Sequence, residues 1–119
     1  MIKFKSLNQS RQFLQILKKK RINSKYFTIY FEKMPISKNK SKILNISFVM
    51  KKKIGNAVVR NRVKRKLKAA VQKVLLDKQL VDLNYTYVIF GKNNVYKDKF
   101  LMIVNEVNEI FKKIKQKER

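Results

Sequence analysis

The spacing of apolar residues along the chain predicts three helices. Residues 57–78 carry apolar side chains at the helical period of about 3.6 residues and are predicted to form the longest one. Its apolar stripe consists of Val59, Val63, Leu67, Ala70, Val71 and Val74. Residues 98–115 show the same period, and residues 6–20 show a looser version of it. We therefore expect a first helix, a long central helix and a C-terminal amphipathic helix.

Three shorter segments, residues 25–33, 43–50 and 85–90, are predicted to be strands. They are rich in aromatic and β-branched side chains, which favour extended backbone. The stretch between the first two contains Pro35 and is predicted to be a loop or hairpin connection, with room for another short strand. The order α-β-(β)-β-α-β-α indicates an α+β sandwich with a small central sheet. A chain of 119 residues fits one domain, residues 1–119.

The charge of the chain points to a polyanionic partner. It has 31 Lys plus Arg against 7 Asp plus Glu, a formal net charge of +24. A folded protein with this imbalance repels itself unless a polyanion neutralises it. Nucleic acid is the first expectation, and an anionic membrane surface is the second.

Composition excludes several other classes of protein. The chain has no Cys and no His, which removes disulfides, thiolate metal sites and the commonest general base. No apolar run approaches the roughly 20 residues of a membrane span, and the first residues lack the apolar core of a signal peptide. The acidic residues are dispersed and include no convincing catalytic pair or metal site. We therefore expect a cytoplasmic protein that has no catalytic residues, and the sequence identifies no metal-binding residues.

The positive charge is concentrated between residues 51 and 68, which carry nine positive side chains, and residues 33–73 contain no Asp or Glu at all. Three of the six arginines in the chain, Arg60, Arg62 and Arg65, fall in this segment. Arginine grips phosphates with a planar fork of donors that lysine lacks. Gly55 and Asn56 interrupt the segment, and Asn56 is predicted to cap the central helix.

The run KKKIGNAVVRNRVKRKLKAAV resembles the signature of the bacterial ribonuclease P protein subunit. That signature has a Lys-Lys pair after a central strand, then Arg-Asn-Arg and a hydrophobic-Lys-Arg step. The resemblance implies a fold similar to the second domain of ribosomal protein S5. It also implies two partners, a catalytic ribonuclease P RNA and precursor tRNA, and no obligate protein partner or membrane. In such an endoribonuclease holoenzyme the RNA, with Mg²⁺, removes the 5′ leader from precursor tRNA, and the protein alone is inactive.

The resemblance also assigns residues to two sites. The RNA-binding residues are Lys52, Lys53, Asn56, Arg60, Asn61, Arg62, Lys64, Arg65 and Lys68. A cleft for the single-stranded leader is matched by Phe13, Phe27 and Tyr30, with Leu17 where the family frequently has a second aromatic. Stacking of bases on aromatic side chains is sequence-tolerant. Phe13 and Phe27 are equally compatible with a role in the hydrophobic core.

Two other functions fit the bulk features of the chain. A ribosomal protein has the same size and charge, and only the Arg-Asn-Arg signature argues against it. A non-specific DNA-binding protein has no need of an aromatic cleft, and a basic protein that adheres to membranes would show its basic residues around one large exposed apolar face.

Overall fold

The computed structural model describes residues 3–7, 10–33, 43–78 and 81–117. Within them the chain forms five strands and three helices in the order β-α-β-β-β-α-β-α. The strands are β1 (Lys3–Lys5), β2 (Lys20–Asn23), β3 (Phe27–Lys33), β4 (Ile43–Val49) and β5 (Tyr85–Gly91), and the helices are α1 (Ser10–Ile16), α2 (Ala57–Lys78) and α3 (Phe100–Lys117). The predicted connection around Pro35 and the extra strand expected there lie outside the described residues.

The strands that the structure describes form one mixed sheet in the order β1-β4-β5-β3-β2. The central pair, β4 and β5, is parallel, and α2 makes the connection between them. Strand β1 is parallel to β4, whereas β3 is antiparallel to both β5 and β2. This arrangement confirms the predicted α+β class.

Helices α2 and α3 cover one face of the sheet and enclose the main core with it. Alternate residues of β3 point into this core, and Phe27, Ile29 and Phe31 are each at most 1% exposed. In β5 the same alternation buries Tyr87, whose ring meets Phe111 of α3 edge-on at 5.1 Å. The apolar stripe of α2 supplies the other side of the core, as the sequence predicts.

Helix α1 lies on the opposite face of the sheet, which we call the open face. Ile16 of α1 and Val88 of β5 are fully buried there, and the backbone N–H of Leu7 donates to Ser47 Oγ at 2.9 Å. A helix of seven residues covers only part of this face. The remaining open-face side chains of β3, β4 and β5 are half-buried.

Two edge strands, β1 and β2, were not predicted. Strand β1 has three residues and β2 reads Lys-Arg-Ile-Asn, so neither offers the apolar alternation that marks a strand. Charged side chains on short edge strands are a common protection against aggregation. The structure also corrects the extent of the first helix, predicted over residues 6–20, because Lys20 and Arg21 belong to β2.

The start of β3 is tied to both long helices at Asp98. The Tyr26 hydroxyl donates to Asp98 Oδ2 at 2.5 Å, and the Lys66 ammonium donates to the Asp98 carbonyl oxygen. The hydrogen bond to Asp98, together with burial, raises the pKa of Tyr26 from its ordinary 10.0 to about 12. The Asp98 carboxylate also pairs with Lys25 at 3.9 Å. One aspartate therefore links the residues just before β3 to α2 and to the segment that leads into α3.

Tyr26→Phe removes this hydroxyl and is expected to lower the free energy of unfolding by about 1–2 kcal/mol at neutral pH. Because the folded protein holds the Tyr26 proton more tightly, the contribution is complete below about pH 10 and is lost as the pH rises towards about 12. Chemical unfolding of both proteins over this range measures the effect. The difference in free energy of unfolding between the wild type and Tyr26→Phe should shrink between about pH 10 and about pH 12. A difference that stays constant over this range would contradict a raised pKa of Tyr26.

No helix in the described ranges is long and apolar enough to cross a membrane.

Candidate nucleic-acid interface

The loop between β4 and α2 presents the first lysines of the basic segment. Lys52, Lys53 and Ile54 form a single 3-10 turn, and both lysines are exposed. Gly55 follows with a φ of +153°, a conformation that residues with a side chain rarely adopt. A Cβ at this position would also lie 3.0 Å from Val59 Cβ. The glycine therefore allows the chain to turn closely around the first residues of α2.

Asn56 caps α2, as predicted. Its Oδ1 accepts a hydrogen bond from the Val59 N–H at 3.0 Å, and its carbonyl accepts one from the Arg60 N–H, also at 3.0 Å. The first bond satisfies a donor that a helix start leaves without an intrahelical partner, and the second is the first backbone hydrogen bond of the helix itself. The side chain assigned to RNA binding thus has a structural role in the free protein.

Asn56→Ala is expected to lower the free energy of unfolding by about 1 kcal/mol, the usual cost of losing such a cap. Asn56→Asp is the matched control, because aspartate keeps the oxygen that accepts from the Val59 N–H. Thermal or denaturant unfolding of the three proteins checks this. An equal loss of free energy of unfolding in Asn56→Ala and Asn56→Asp would show that removal of the cap does not cause the destabilisation.

Helix α2 separates its apolar and basic residues onto two sides. Val63, Leu67, Ala70 and Val71 are fully buried. The exposed residues that were assigned to RNA binding are Asn61, Arg62, Lys64, Arg65 and Lys68, and Arg60 beside them is half-buried. We call these six residues the basic face. The structure confirms that Asn61, Arg62, Arg65 and Lys68 lie on the side of the helix away from the apolar stripe, as the 3.6-residue period predicts, whereas the half-buried Arg60 lies beside the stripe.

The basic face has no acidic counterpart in the described part of the chain. The ion pairs seen there join Lys19 to Glu32 at 3.6 Å and Lys25 to Asp98 at 3.9 Å, both away from the exposed side of α2. Arg62 lies over the Tyr96 ring at 5.8 Å from its centre, and its Nη1 is 3.4 Å from the Tyr96 hydroxyl. The cations of the basic face thus remain available to an external anion.

A second candidate surface lies on the open face of the sheet. Phe90 of β5 is its centre, with the Tyr30 ring edge-on at 5.6 Å and the Phe13 ring tilted at 6.3 Å. All three rings are half-buried, and we call them the aromatic cluster. The Lys51 ammonium lies 5.3 Å from the centre of the Phe90 ring. Leu17, one helical turn after Phe13, is also half-buried.

The assignment of Phe27 to this surface is wrong. Phe27 and Tyr30 are three positions apart in one strand, so their side chains point to opposite faces of the sheet. Phe27 is 0% exposed and belongs to the core beneath α2 and α3. The aromatic ring of Phe27 therefore packs in the hydrophobic core and is not accessible to a ligand.

Sequence reasoning missed two members of this region, Phe90 and Lys51. Phe90 lies three positions after the core residue Tyr87, an odd number, so the two side chains face opposite sides of the sheet. Its register partner Thr28 shares the face of Tyr30, so strand alternation was the signal that could have identified it. Lys51 could not be placed in this region from the sequence, because only the folded chain brings the loop before α2 over the end of β5.

No group of three or more His, Cys, Asp or Glu side chains within the described residues is placed to hold a metal ion.

Comparison with solved structures defines the class of this fold. The RNase P protein of Thermotoga maritima superposes with a TM-score of 0.67 at 22% identity, covering 92% of this chain and 96% of that one. The RNase P protein of Staphylococcus aureus gives a TM-score of 0.65 at 19% identity, covering 92% and 94%. The mixed five-stranded sheet with three helices is the fold of these proteins.

Sequence comparison places the chain within that class. The sequence model of the family described as Ribonuclease P matches residues 1–115. The ribonuclease P protein component of Carboxydothermus hydrogenoformans is 31% identical over 117 residues, 98% of this chain and 96% of the relative. That of Mesomycoplasma hyopneumoniae strain 7448 is 30% identical over 120 residues and covers both chains completely. The chain belongs to the ribonuclease P protein family, the protein component of an endoribonuclease that processes tRNA.

Proposed function

We propose that this protein binds the catalytic RNA of ribonuclease P through the basic face of α2 and the lysines before it, and contacts the 5′ leader of precursor tRNA through the aromatic cluster. The observation that carries this proposal is the unpaired basic face. It carries five cations, Arg60, Arg62, Lys64, Arg65 and Lys68, and no described carboxylate pairs with them. An RNA backbone would relieve their mutual repulsion.

The basic face suits a folded RNA because its cations follow one side of a rigid helix. Arg62 and Arg65 are three residues apart and therefore lie on neighbouring turns of that side. Each guanidinium can grip a phosphate with two hydrogen bonds, whereas Lys64 and Lys68 supply point charges. Lys52 and Lys53 extend the same surface around the helix start. Phosphate contacts of this kind set the position of a protein on its RNA.

The aromatic cluster suits a single strand because the stacking of bases on aromatic rings tolerates any sequence. Phe13, Tyr30 and Phe90 offer rings of which a part remains open to solvent. Lys51 beside Phe90 would meet the phosphates of the same strand. Phe90, whose ring centre lies 6.3 Å from that of Phe13, offers a second ring beside Phe13 on which a base could stack.

The proposed division of labour assigns cleavage to the RNA with Mg²⁺ and positioning to the protein, in the cytoplasm. The basic face would neutralise phosphates where the catalytic RNA and the substrate approach each other. Charge neutralisation by the protein would replace part of the Mg²⁺ that the RNA otherwise needs to fold and to hold the substrate.

Cleavage of precursor tRNA at low Mg²⁺ tests the proposal. A bacterial ribonuclease P RNA alone should cut slowly under these conditions, and addition of this protein should restore release of the 5′ leader at the mature end. A basic ribosomal protein of similar size serves as the control for unspecific charge. If the protein stimulates no ribonuclease P RNA, the proposal is refuted.

A further inference from the structure

A cavity of about 410 Å³ lies between the start of α2 and the end of β4, on the side of the sheet away from the aromatic cluster. It is lined by Phe48, Met50, Ala57, Arg60, Asn61 and Lys64. Its size falls within the range of small-molecule sites, roughly 300–1,000 Å³. Half of its lining is apolar or small, and the other half comes from the basic face.

Phe48 and Met50 form the floor of this cavity, and both pack against neighbouring strands. The half-buried Phe48 ring stacks on the Phe4 ring of β1, with centres 6.2 Å apart and planes 24° from parallel. Lys68 lies 6.0 Å from the centre of the Phe4 ring. The Met50 side chain packs over Gly91, where an added Cβ would lie 2.6 Å from its sulfur.

The wall of the cavity is polar and comes from one turn of α2. Arg60 and Lys64 are four residues apart, so their side chains lie one above the other along the helix. Asn61 stands next to Arg60, and its amide offers both donors and an acceptor. An aromatic floor with a cationic and amide wall matches a nucleotide, which has a flat base, hydrogen-bonding edges and a phosphate.

We propose that this cavity takes an unpaired nucleobase of the ribonuclease P RNA. The base would stack on Phe48 against Met50, the Asn61 amide would hydrogen-bond its edge, and Arg60 and Lys64 would hold the flanking phosphates. This inference rests on the proposed function and adds a specific contact to it. A folded RNA is the fitting ligand because proteins recognise its unstacked bases in loops and bulges by such stacking and edge contacts.

Phe48→Leu tests the stacking contact, with Phe48→Tyr as the variant that keeps an aromatic ring. Binding to the full-length ribonuclease P RNA should weaken about five- to tenfold for Phe48→Leu and should stay near the wild-type value for Phe48→Tyr. The salt dependence of binding should be unchanged in both, because no phosphate contact is lost. Phe100→Leu, an exposed aromatic of α3 outside both surfaces, is the control. Thermal unfolding establishes that each variant is folded.

The result separates this inference from the proposed function. If Arg62→Ala weakens binding and reduces its salt dependence while Phe48→Leu binds as tightly as the wild type, the basic face is a phosphate surface only and the base site is refuted. If neither Arg62→Ala nor Phe48→Leu weakens binding to the ribonuclease P RNA, both the phosphate surface and the base site are refuted. Equal losses for Phe48→Leu and Phe48→Tyr would also reject stacking.

The absence of cysteine from the chain permits a direct second test. Ala57→Cys places a unique thiol on the cavity lining, and Ala69→Cys places one on the exposed side of α2 twelve residues later, about 18 Å away. A thiol-linked photo-crosslinker at residue 57 should attach to unpaired nucleotides of the ribonuclease P RNA, and Phe48→Leu should reduce that yield. Crosslinks from residue 57 only to base-paired segments would overturn the proposal.

Discussion

Replacing Arg60, Arg62 and Arg65 together with alanine is expected to weaken binding to ribonuclease P RNA by about two to three orders of magnitude at about 0.1 M monovalent salt. Each phosphate that a protein neutralises contributes roughly 0.9 to the slope of log affinity against log salt concentration. The loss of one such contact therefore costs about eightfold in affinity at this salt concentration, and three losses multiply. The slope itself should fall by about three units.

The chain offers a matched control for this triple substitution. Lys112, Lys113 and Lys115 are exposed on α3, and their replacement by alanine removes the same three charges from another helix. Affinity for the RNA, measured over a series of salt concentrations, should change little in the control. Equal losses in the two triple variants would show that net charge, and not the basic face, determines binding. Since Arg62 and Arg65 are exposed and surrounded by like charges, their removal should not unfold the helix.

Phe13→Ala and Tyr30→Ala together are expected to reduce the preference of the holoenzyme for precursor tRNA over mature tRNA by about tenfold or more. Base–aromatic stacking is worth roughly 1–3 kcal/mol per base, and about 1.4 kcal/mol corresponds to a factor of ten in affinity. Mature tRNA lacks the leader, so its affinity should stay near the wild-type value. Dissociation constants for the two tRNAs, each measured with the assembled holoenzyme, provide the ratio.

Leu14→Ala is the control for the aromatic substitutions, because Leu14 lies next to Phe13 in α1 but is 61% exposed and outside the cluster. The double aromatic variant should fold, since both rings are only half-buried. An unchanged ratio in that variant would place leader recognition elsewhere in the holoenzyme.

The long helices were predictable because their apolar residues repeat over many turns. Val63, Leu67 and Val71 mark one side of α2 so regularly that the position of the basic face follows from the sequence. The same regularity predicts α3 to within two residues at each end. Long periodic segments carry enough positions to fix both the type of element and its orientation.

The edge strands and the aromatic cluster were harder to predict because their signals are short or depend on contacts distant in sequence. Three residues of β1 cannot establish an alternation, and the Lys and Arg of β2 are equally suited to a helix end. The faces of β3 and β5, however, follow from alternation alone, which separates Phe27 from Tyr30 and Phe90 from Tyr87. The stacking of Phe4 on Phe48 depends on the pairing of β1 with β4, and the sequence contains no local sign of that pairing.

The presence of two separate RNA-binding surfaces is tested most directly by a reciprocal comparison of Arg62→Ala and Phe13→Ala. For each protein, two quantities are measured: affinity for ribonuclease P RNA, and the precursor-to-mature affinity ratio of holoenzyme assembled with saturating protein. We predict that Arg62→Ala lowers the affinity for ribonuclease P RNA and preserves the precursor-to-mature ratio. Phe13→Ala should preserve that affinity and lower the ratio. If both variants lower both quantities to the same extent, the two surfaces do not have separate functions.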